Sequence, residues 1–306
     1  MDIQKVLFIG FGSIANKHAK ALRSLFPKIQ LDALRSSTNA SSIEGITNLF
    51  HGDIIHYSTY DFVIISNPSY LHADTILEIS KQAKAFFIEK PAFLTIEEGN
   101  KVVEAIGSKL NYVACNLRFL DCLKQIKTLL EQGSIHPSQV MFNAWSYLPD
   151  WRPSQDYRQS YSASESKGGG VLYDLIHEPD YIYWLFGKPT ESFIHSGKFS
   201  DLDINSSDTA ILNFKYPSYA VSGSLSYASR ITKRNLQIIA AEGLFEVDLL
   251  QNTITHNGIC IYKSSQRIID TYQKQMEHFV ACLQKEVMPL NDVLQALAVS
   301  RFMQFI

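Results

Sequence analysis

The sequence predicts an α/β chain: an N-terminal Rossmann domain with a doubly wound parallel sheet, then an α+β domain with a large, mostly antiparallel open sheet. Three observations carry this. Up to about residue 118, short apolar runs alternate with amphipathic stretches of helical period. The first run leads directly into a glycine turn, "GFGSIA". Beyond that point strand-like runs follow one another without intervening helices, through hairpin-like connections such as "YPSY" and "AEG". The expected domains are 1–118 and 119–306.

Taken in order, "KVLFIG", "IQLDAL", "DFVIIS", "AFFIEK" and "NYVACN" read as buried parallel strands, because each is a short, nearly continuous apolar run. Between the first two, Ile14, Ala15, His18, Ala19, Leu22, Leu25 and Phe26 mark one helical face that stops at Pro27. Thr75 to Ala83 and Ile96 to Ile106 fit two later helices. The second domain opens on a helix, "LDCLKQIKTLLEQG", then a strand, "QVMFNAW", and a polar, aromatic loop from Ser146 to Lys167. Next comes "GGGVLYDLIHEPD". As one helix it would set Asp174, His177 and Asp180 on roughly one face. Pro179 lacks an amide proton and opposes the Leu175 carbonyl, so a kink or a restart near His177 is expected. The runs "TAILNFKY", "YAVSGSLSYA", "RNLQIIAA", "GLFEVDL" and "GICIYK" read as strands, and helices near Tyr272 to Gln284 and Asp292 to Phe305 close the chain.

A formal net charge of -2, with 19% charged and 46% hydrophobic residues, describes a globular protein without the basic excess that a nucleic-acid backbone demands. No run approaches the roughly 18 apolar residues of a membrane span. The N-terminus leads straight into a strand, so a cytoplasmic location is expected. Cys115, Cys122, Cys260 and Cys282 show neither CxxC pairing nor a neighbouring His cluster, so they read as buried free thiols and no metal site is expected. His18, His51, His56, His195 and His256 read as structural or solvated residues.

The turn "VLFIGFGSIANKH" places Gly10, Gly12 and Ala15 in a GxGxxA pattern between a strand and a helix. The first glycine permits the tight turn, the second lets a pyrophosphate approach the backbone, and the small third residue lets helix and strand pack. The helix N-terminus at Ser13 and Ile14 then turns its amides to the phosphates. The second strand ends in Arg35, Ser36 and Ser37, with Asp32 earlier in the strand. A guanidinium and hydroxyls suit a 2'-phosphate, so NADP is favoured and NAD remains possible.

"SNPSYLH" (Ser66 to His72) and "IEKP" (Ile88 to Pro91), with the glycine turn before them and the glycine-rich run into Asp and His after them, carry a resemblance. In that order and over nearly the whole chain, the layout resembles the glucose-fructose oxidoreductase, inositol dehydrogenase and MocA family. The resemblance implies a two-domain NAD(P)-dependent oxidoreductase acting on sugars, polyols or nucleotide-linked derivatives. It also implies a substrate cleft facing the nicotinamide and homo-oligomers formed through the second-domain sheet. It places Asn67, Pro68, His72 and Glu89 with the cofactor and Lys90 at the reacting oxygen.

The residues themselves suit that chemistry. Lys90 precedes a proline, which keeps it extended at the carboxyl end of a strand, where ligands bind in an open parallel sheet. Hydride transfer from a carbinol needs simultaneous loss of the hydroxyl proton. The candidate catalytic set is therefore Lys90, His177 as proton shuttle and Asp174 as the group that orients substrate. Family members usually separate this Asp and His by one more residue, so Glu178 stands where the His commonly falls. Whether His177 shares the proton transfer with Lys90 stays open.

Trp151, Arg152, Tyr157, Arg158 and Tyr161 in the long loop suit a sugar ring and an anionic group, and Asn116 and Arg118 at the domain junction are further substrate candidates. The expected substrate is an anionic or nucleotide-linked sugar. Alternatives are a non-catalytic NAD(P)- or sugar-responsive binding protein of the same fold, or a reductase of a non-sugar carbonyl or imine.

Overall fold

The computed structural model describes residues 3–39 and 41–304. By packing, the chain divides into two compact units. One comprises the residues up to Cys115 together with Tyr272–Leu297, the other Asn116–Thr271 with the segment from Ala298. The chain thus re-enters its first unit after residue 271, whereas a division at 118/119 keeps every later residue in the second.

The first unit runs β1 (Lys5–Ile9), α1 (Ser13–Leu25), β2 (Gln30–Arg35), β3 (Ile46–Phe50), β4 (Phe62–Ile65), α2 (His72–Ile79), β5 (Phe86–Ile88), α3 (Ile96–Ile106) and β6 (Asn111–Val113). The six strands are parallel, in the order β3-β2-β1-β4-β5-β6. The central strands are apolar throughout because both faces are covered: Val6, Phe8, Phe62, Ile64 and Phe87 are fully buried. β3 is absent from the apolar runs because it is a half-exposed edge strand, "ITNLF". α2 begins at His72, earlier than Thr75. The strand order reverses at β1 and β4, the position at which doubly wound sheets open a ligand crevice.

The second unit holds α4 (Asp121–Glu131), β7 (Pro137–Tyr147), α5 (Val171–Asp174), α6 (His177–Phe186) and the strands β8 (Glu191–Gly197), β9 (Thr209–Lys215), β10 (Ala220–Ser226), β11 (Ala228–Ala240), β12 (Gly243–Asp248), β13 (Thr253–His256) and β14 (Ile259–Lys263). They form an eight-stranded sheet, β14-β13-β12-β11-β7-β10-β9-β8, antiparallel except where β7 meets β10. β8 and β13 lie outside the runs read as strands. Alternation decides the faces: Phe142, Leu212, Leu225, Leu236 and Ile238 enter a core shared with Ile126 of α4 and Ile182 of α6, while Asn143 and Trp145 turn the other way and half-buried Tyr147 packs at the edge of that core. Gly223 lies directly across from Phe142, whose ring comes within 2.0 Å of where a Cβ would stand, so glycine alone lets the strands close. Cys260, on β14, is exposed rather than buried.

α7 (Thr271–Leu283) and α8 (Val293–Phe302) close the chain. Phe279 of α7 packs edge-on against Phe62 and Phe87 of the first sheet, at 4.9 and 5.2 Å between ring centres. Phe305, the expected end of the last helix, lies outside the described residues. Among the described residues no helix is long and apolar enough to cross a membrane.

Candidate functional site

In the first unit, two turns meet where β1 and β4 end side by side. Gly10 has φ +79, and a Cβ on it would lie 2.5 Å from the Asn67 Cα, so both its conformation and its neighbour require glycine. The Ser66 hydroxyl donates to the Gly10 carbonyl at 2.8 Å and ties the turns together. Gly12 differs: nothing stands within 4 Å of where its Cβ would be, and it caps α1, whose first turn carries no acidic residue. Exposed amides facing open space at the start of a thirteen-residue helix, beside exposed Ser13 and half-buried Ile14, fit a pyrophosphate. Arg35 is half-buried at the end of β2, with one N–H on the Asn48 side-chain oxygen at 3.1 Å and exposed Ser36 next to it. Asp32 is turned away from this edge, buried beneath the Tyr60 hydroxyl at 2.8 Å and the Lys5 ammonium at 3.4 Å.

His72 is buried, with its two ring nitrogens against the carbonyls of Pro91 at 2.7 Å and Asn67 at 2.9 Å. It fastens the Asn67-Pro68 turn to the segment after Lys90. Burial lowers its proton affinity, while the two carbonyls oppose that effect. Asn67 donates to the Thr75 hydroxyl at 2.9 Å, and among the described residues its buried side-chain oxygen meets no hydrogen-bond donor.

Of the two readings, structural or solvated, the structure shows the first for His18. It is fully buried on α1 and holds Glu89 Oε1 at 2.5 Å. Among the described residues its Nδ1 has no hydrogen-bond partner, which puts the ring proton on Nε2, aimed at the carboxylate. The other Glu89 oxygen accepts the Lys90 amide at 3.3 Å. Lys17 lies half-buried in the same cluster, its ammonium 4.5 Å above the Tyr272 ring. Burial lowers its pKa, with Glu89 acting against this and Lys90 with it. The signal was present in the sequence: a histidine within the stripe Ala15, Ala19, Leu22 must find a partner when that stripe is buried.

In the second unit the helix expected through "VLYDLIHEPD" is broken. α5 ends at Asp174 and α6 starts at His177, with Pro179 in its first turn, where the missing amide proton costs nothing. Asp174 is buried, one oxygen accepting the Tyr161 hydroxyl at 2.7 Å and the other the Tyr227 hydroxyl at 2.5 Å. Burial, ahead of the neighbouring carboxylate, raises the pKa of both phenols. Tyr227, fully buried, escapes sequence reading because it alternates in register with core residues. His177 opens α6, half-buried. Glu178 is fully buried and paired with Arg234 of β11 at 2.7 Å.

The substrate candidates divide. Arg118, expected to reach a substrate, is fully buried and forks onto Asp180 at 2.9 and 2.8 Å. Asn116, expected there too, is buried against the Thr271 hydroxyl at 2.7 Å. Both are interior residues, because a charged or amide side chain at the start of the unit is satisfied by its own neighbours. Arg158 is exposed but its guanidinium chelates Asp156, at 2.9 and 2.7 Å. Tyr157 accepts the Asp203 amide through its hydroxyl at 3.2 Å. Trp151 lies edge-on to Tyr227, 5.2 Å between ring centres, and Arg152 beside it is exposed. Tyr161, Asp174, Tyr227 and Trp151 thus form one contiguous group.

Residues 4–117 match the family model described as the oxidoreductase family, NAD-binding Rossmann fold, and residues 123–246 match the GFO/IDH/MocA C-terminal domain. An uncharacterized oxidoreductase, YrbE, of Bacillus subtilis is 24% identical over 97% of this chain and 92% of its own length. Myo-inositol 2-dehydrogenase of Thermotoga maritima is 22% identical, with 89% of this chain and 86% of that relative covered. The WlbA dehydrogenase of Bordetella pertussis, solved in complex with NADH and UDP-GlcNAcA, shares the fold: TM-score 0.80 at 18% identity, covering 100% of this chain and 95% of that one.

Replacing His18 by Ala removes a donor from a buried carboxylate, and the expected loss is about 1–3 kcal/mol, read as a lower melting temperature. His18→Gln, which still donates, loses less. Arg118→Ala removes the guanidinium that forks onto the buried Asp180, at an expected cost of about 3–5 kcal/mol. Arg158→Ala, at an exposed pair, leaves the melting temperature nearly unchanged.

Proposed function

Because the chain belongs to the GFO/IDH/MocA oxidoreductase family, we propose that it is an NAD(P)-dependent enzyme passing a hydride between nicotinamide and a carbinol or carbonyl carbon of a sugar-type substrate. The observation that carries the reading is the open shelf at Gly12 before α1, with Lys90 following β5, the second strand along from β1 in the same parallel sheet. The bound nicotinamide accepts or supplies the hydride. Lys90 binds the reacting oxygen and takes or returns its proton, and Glu89, held by His18, fixes the backbone from which Lys90 projects. On the second unit His177 acts as proton shuttle. Asp174 works through Tyr161, which it orients, since both of its oxygens already accept phenol protons.

NADP is the preferred cofactor. Arg35 keeps further N–H donors beyond the one on Asn48, and the Asp32 carboxylate that would repel a 2'-phosphate is turned into the interior. The substrate is an anionic or nucleotide-linked sugar, and the enzyme works in the cytoplasm as a homo-oligomer. Exposed Phe193, Ile211 and Ile239 on the open face of the second sheet support that assembly. A second reading, a non-catalytic binder of the same ligands, is favoured by Glu178, which occupies the usual His position as half of a buried ion pair.

Two variants decide between them. Arg35→Ala should weaken NADPH binding about tenfold or more in a fluorescence titration while leaving NADH within about twofold. Loss of both equally argues against the 2'-phosphate contact. Lys90→Met should lower turnover about a hundredfold or more with both cofactors still bound. Unchanged turnover removes Lys90 from the chemistry, and a wild-type protein that binds cofactor without turning over any sugar favours the binder.

A further inference from the structure

Three cations lie close together on β11: Arg230, Lys233 and Arg234. Only Arg234 meets a carboxylate, the buried Glu178. Arg230 and Lys233 lie instead over aromatic rings of the neighbouring strand β7. The Arg230 guanidinium carbon is 3.6 Å above the centre of Tyr147, and the Lys233 ammonium is 5.0 Å from that of Trp145. Among the described residues neither cation has a hydrogen-bond acceptor or an acidic partner. A ring under the flat face of a guanidinium restrains it without occupying its N–H edge, which is how a fork is held ready for an oxyanion.

The backbone is shaped to the same end. β11 pairs with β7 at Ala228↔Tyr147 and next at Lys233↔Trp145, so Ser229 to Thr232 stand opposite Ser146 alone. This bulge lifts Arg230 out of the ladder and over Tyr147, and it leaves Ile231 76% exposed. Bulges of this kind re-aim side chains beside functional sites. A chain of contacts joins it to Asp174. Ser146 accepts the Trp151 indole N–H at 3.0 Å, Trp151 lies against Tyr227, and Tyr227 holds Asp174. Arg152 acts on the same group, opposing the raised pKa of Tyr161.

We propose that Arg230 and Lys233, with Arg152 at the Tyr161 end, form an oxyanion subsite that binds the phosphate or carboxylate of the substrate next to the Asp174, Tyr161 and Trp151 group. The subsite rests on the reading of the second unit as the substrate-binding one. It replaces Arg118 and Arg158 as anion contacts, because both of those are neutralised within the protein. Trp151, 39% exposed, offers a ring face for the sugar or base attached to the anion.

The test is calorimetric titration of the full chain, with and without NADH, using uridine diphosphate as the phosphate probe and glucuronate as the carboxylate probe. At least one probe should bind the wild type, and Arg230→Ala should weaken it about tenfold or more. Arg230→Lys, which restores charge without the fork, should recover only part, and Arg158→Ala should stay within about twofold. The probe that responds identifies the source of the oxyanion. Binding of neither probe, or equal binding by wild type and Arg230→Ala, overturns the proposal. So does a variant that changes oligomeric state by light scattering yet keeps its affinity for the probe, since Arg230 is then a subunit contact. NADH binding, measured in the same runs, should not differ between wild type and variants. Its absence from the wild type counts against the dehydrogenase reading and leaves the anion result standing.

Discussion

The Glu89 carboxylate lies almost out of water just beyond β5, and the imidazole of His18, fully buried on α1, holds it at 2.5 Å. A carboxylate taken from water must keep hydrogen-bond donors around it. That requirement, with the buried Ala15, Ala19 and Leu22, fixes which face of α1 turns to the sheet. The helix that offers its amides after Gly12 is thereby the same helix that anchors the residue before Lys90. The Gly12 turn and the backbone at Lys90 are thus both tied to α1 rather than to two independent loops.

The same requirement organises the second unit. Glu178 and Asp180 face inward at the start of α6 and are met by Arg234 and Arg118, while Asp174 at the end of α5 is met by two phenols. Such pairs add little net stability over an apolar substitute, but losing one partner is costly, so they hold α5 and α6 in fixed registers against the sheet. The break between Asp174 and His177 follows from them and from Pro179: each side of the break is pinned by its own acid. Acidic residues that look like a reactive face along the sequence therefore serve mainly to place His177 and Tyr161.

Three exposed cations are left over after this pairing. Among the described residues Arg152, Arg230 and Lys233 have no acidic partner, and two of them lie over aromatic rings. A cation without a partner is cheap at an exposed position and can answer an anion arriving from solution. Position in the open sheet matters as much as charge. The side of β7 that carries Asn143 and Trp145 faces away from the core by strand alternation.

The sequence by itself determined the architecture, because that depends on local signals: apolar runs, the period of amphipathic stretches, the GxGxxA turn and the prolines. The parallel sheet, the antiparallel sheet and the restart at His177 were all legible in this way. Weak edge strands such as β3, β8 and β13 were not, since they are half-exposed and lack a continuous apolar run. What only the tertiary structure decided was pairing across long separations. His18 finds Glu89 71 residues away, Arg118 finds Asp180 62 residues away, and Asp174 finds Tyr227 53 residues away. Whether an arginine is a ligand or an internal counter-ion depends on which distant carboxylate the fold brings to it, and no local pattern carries that information.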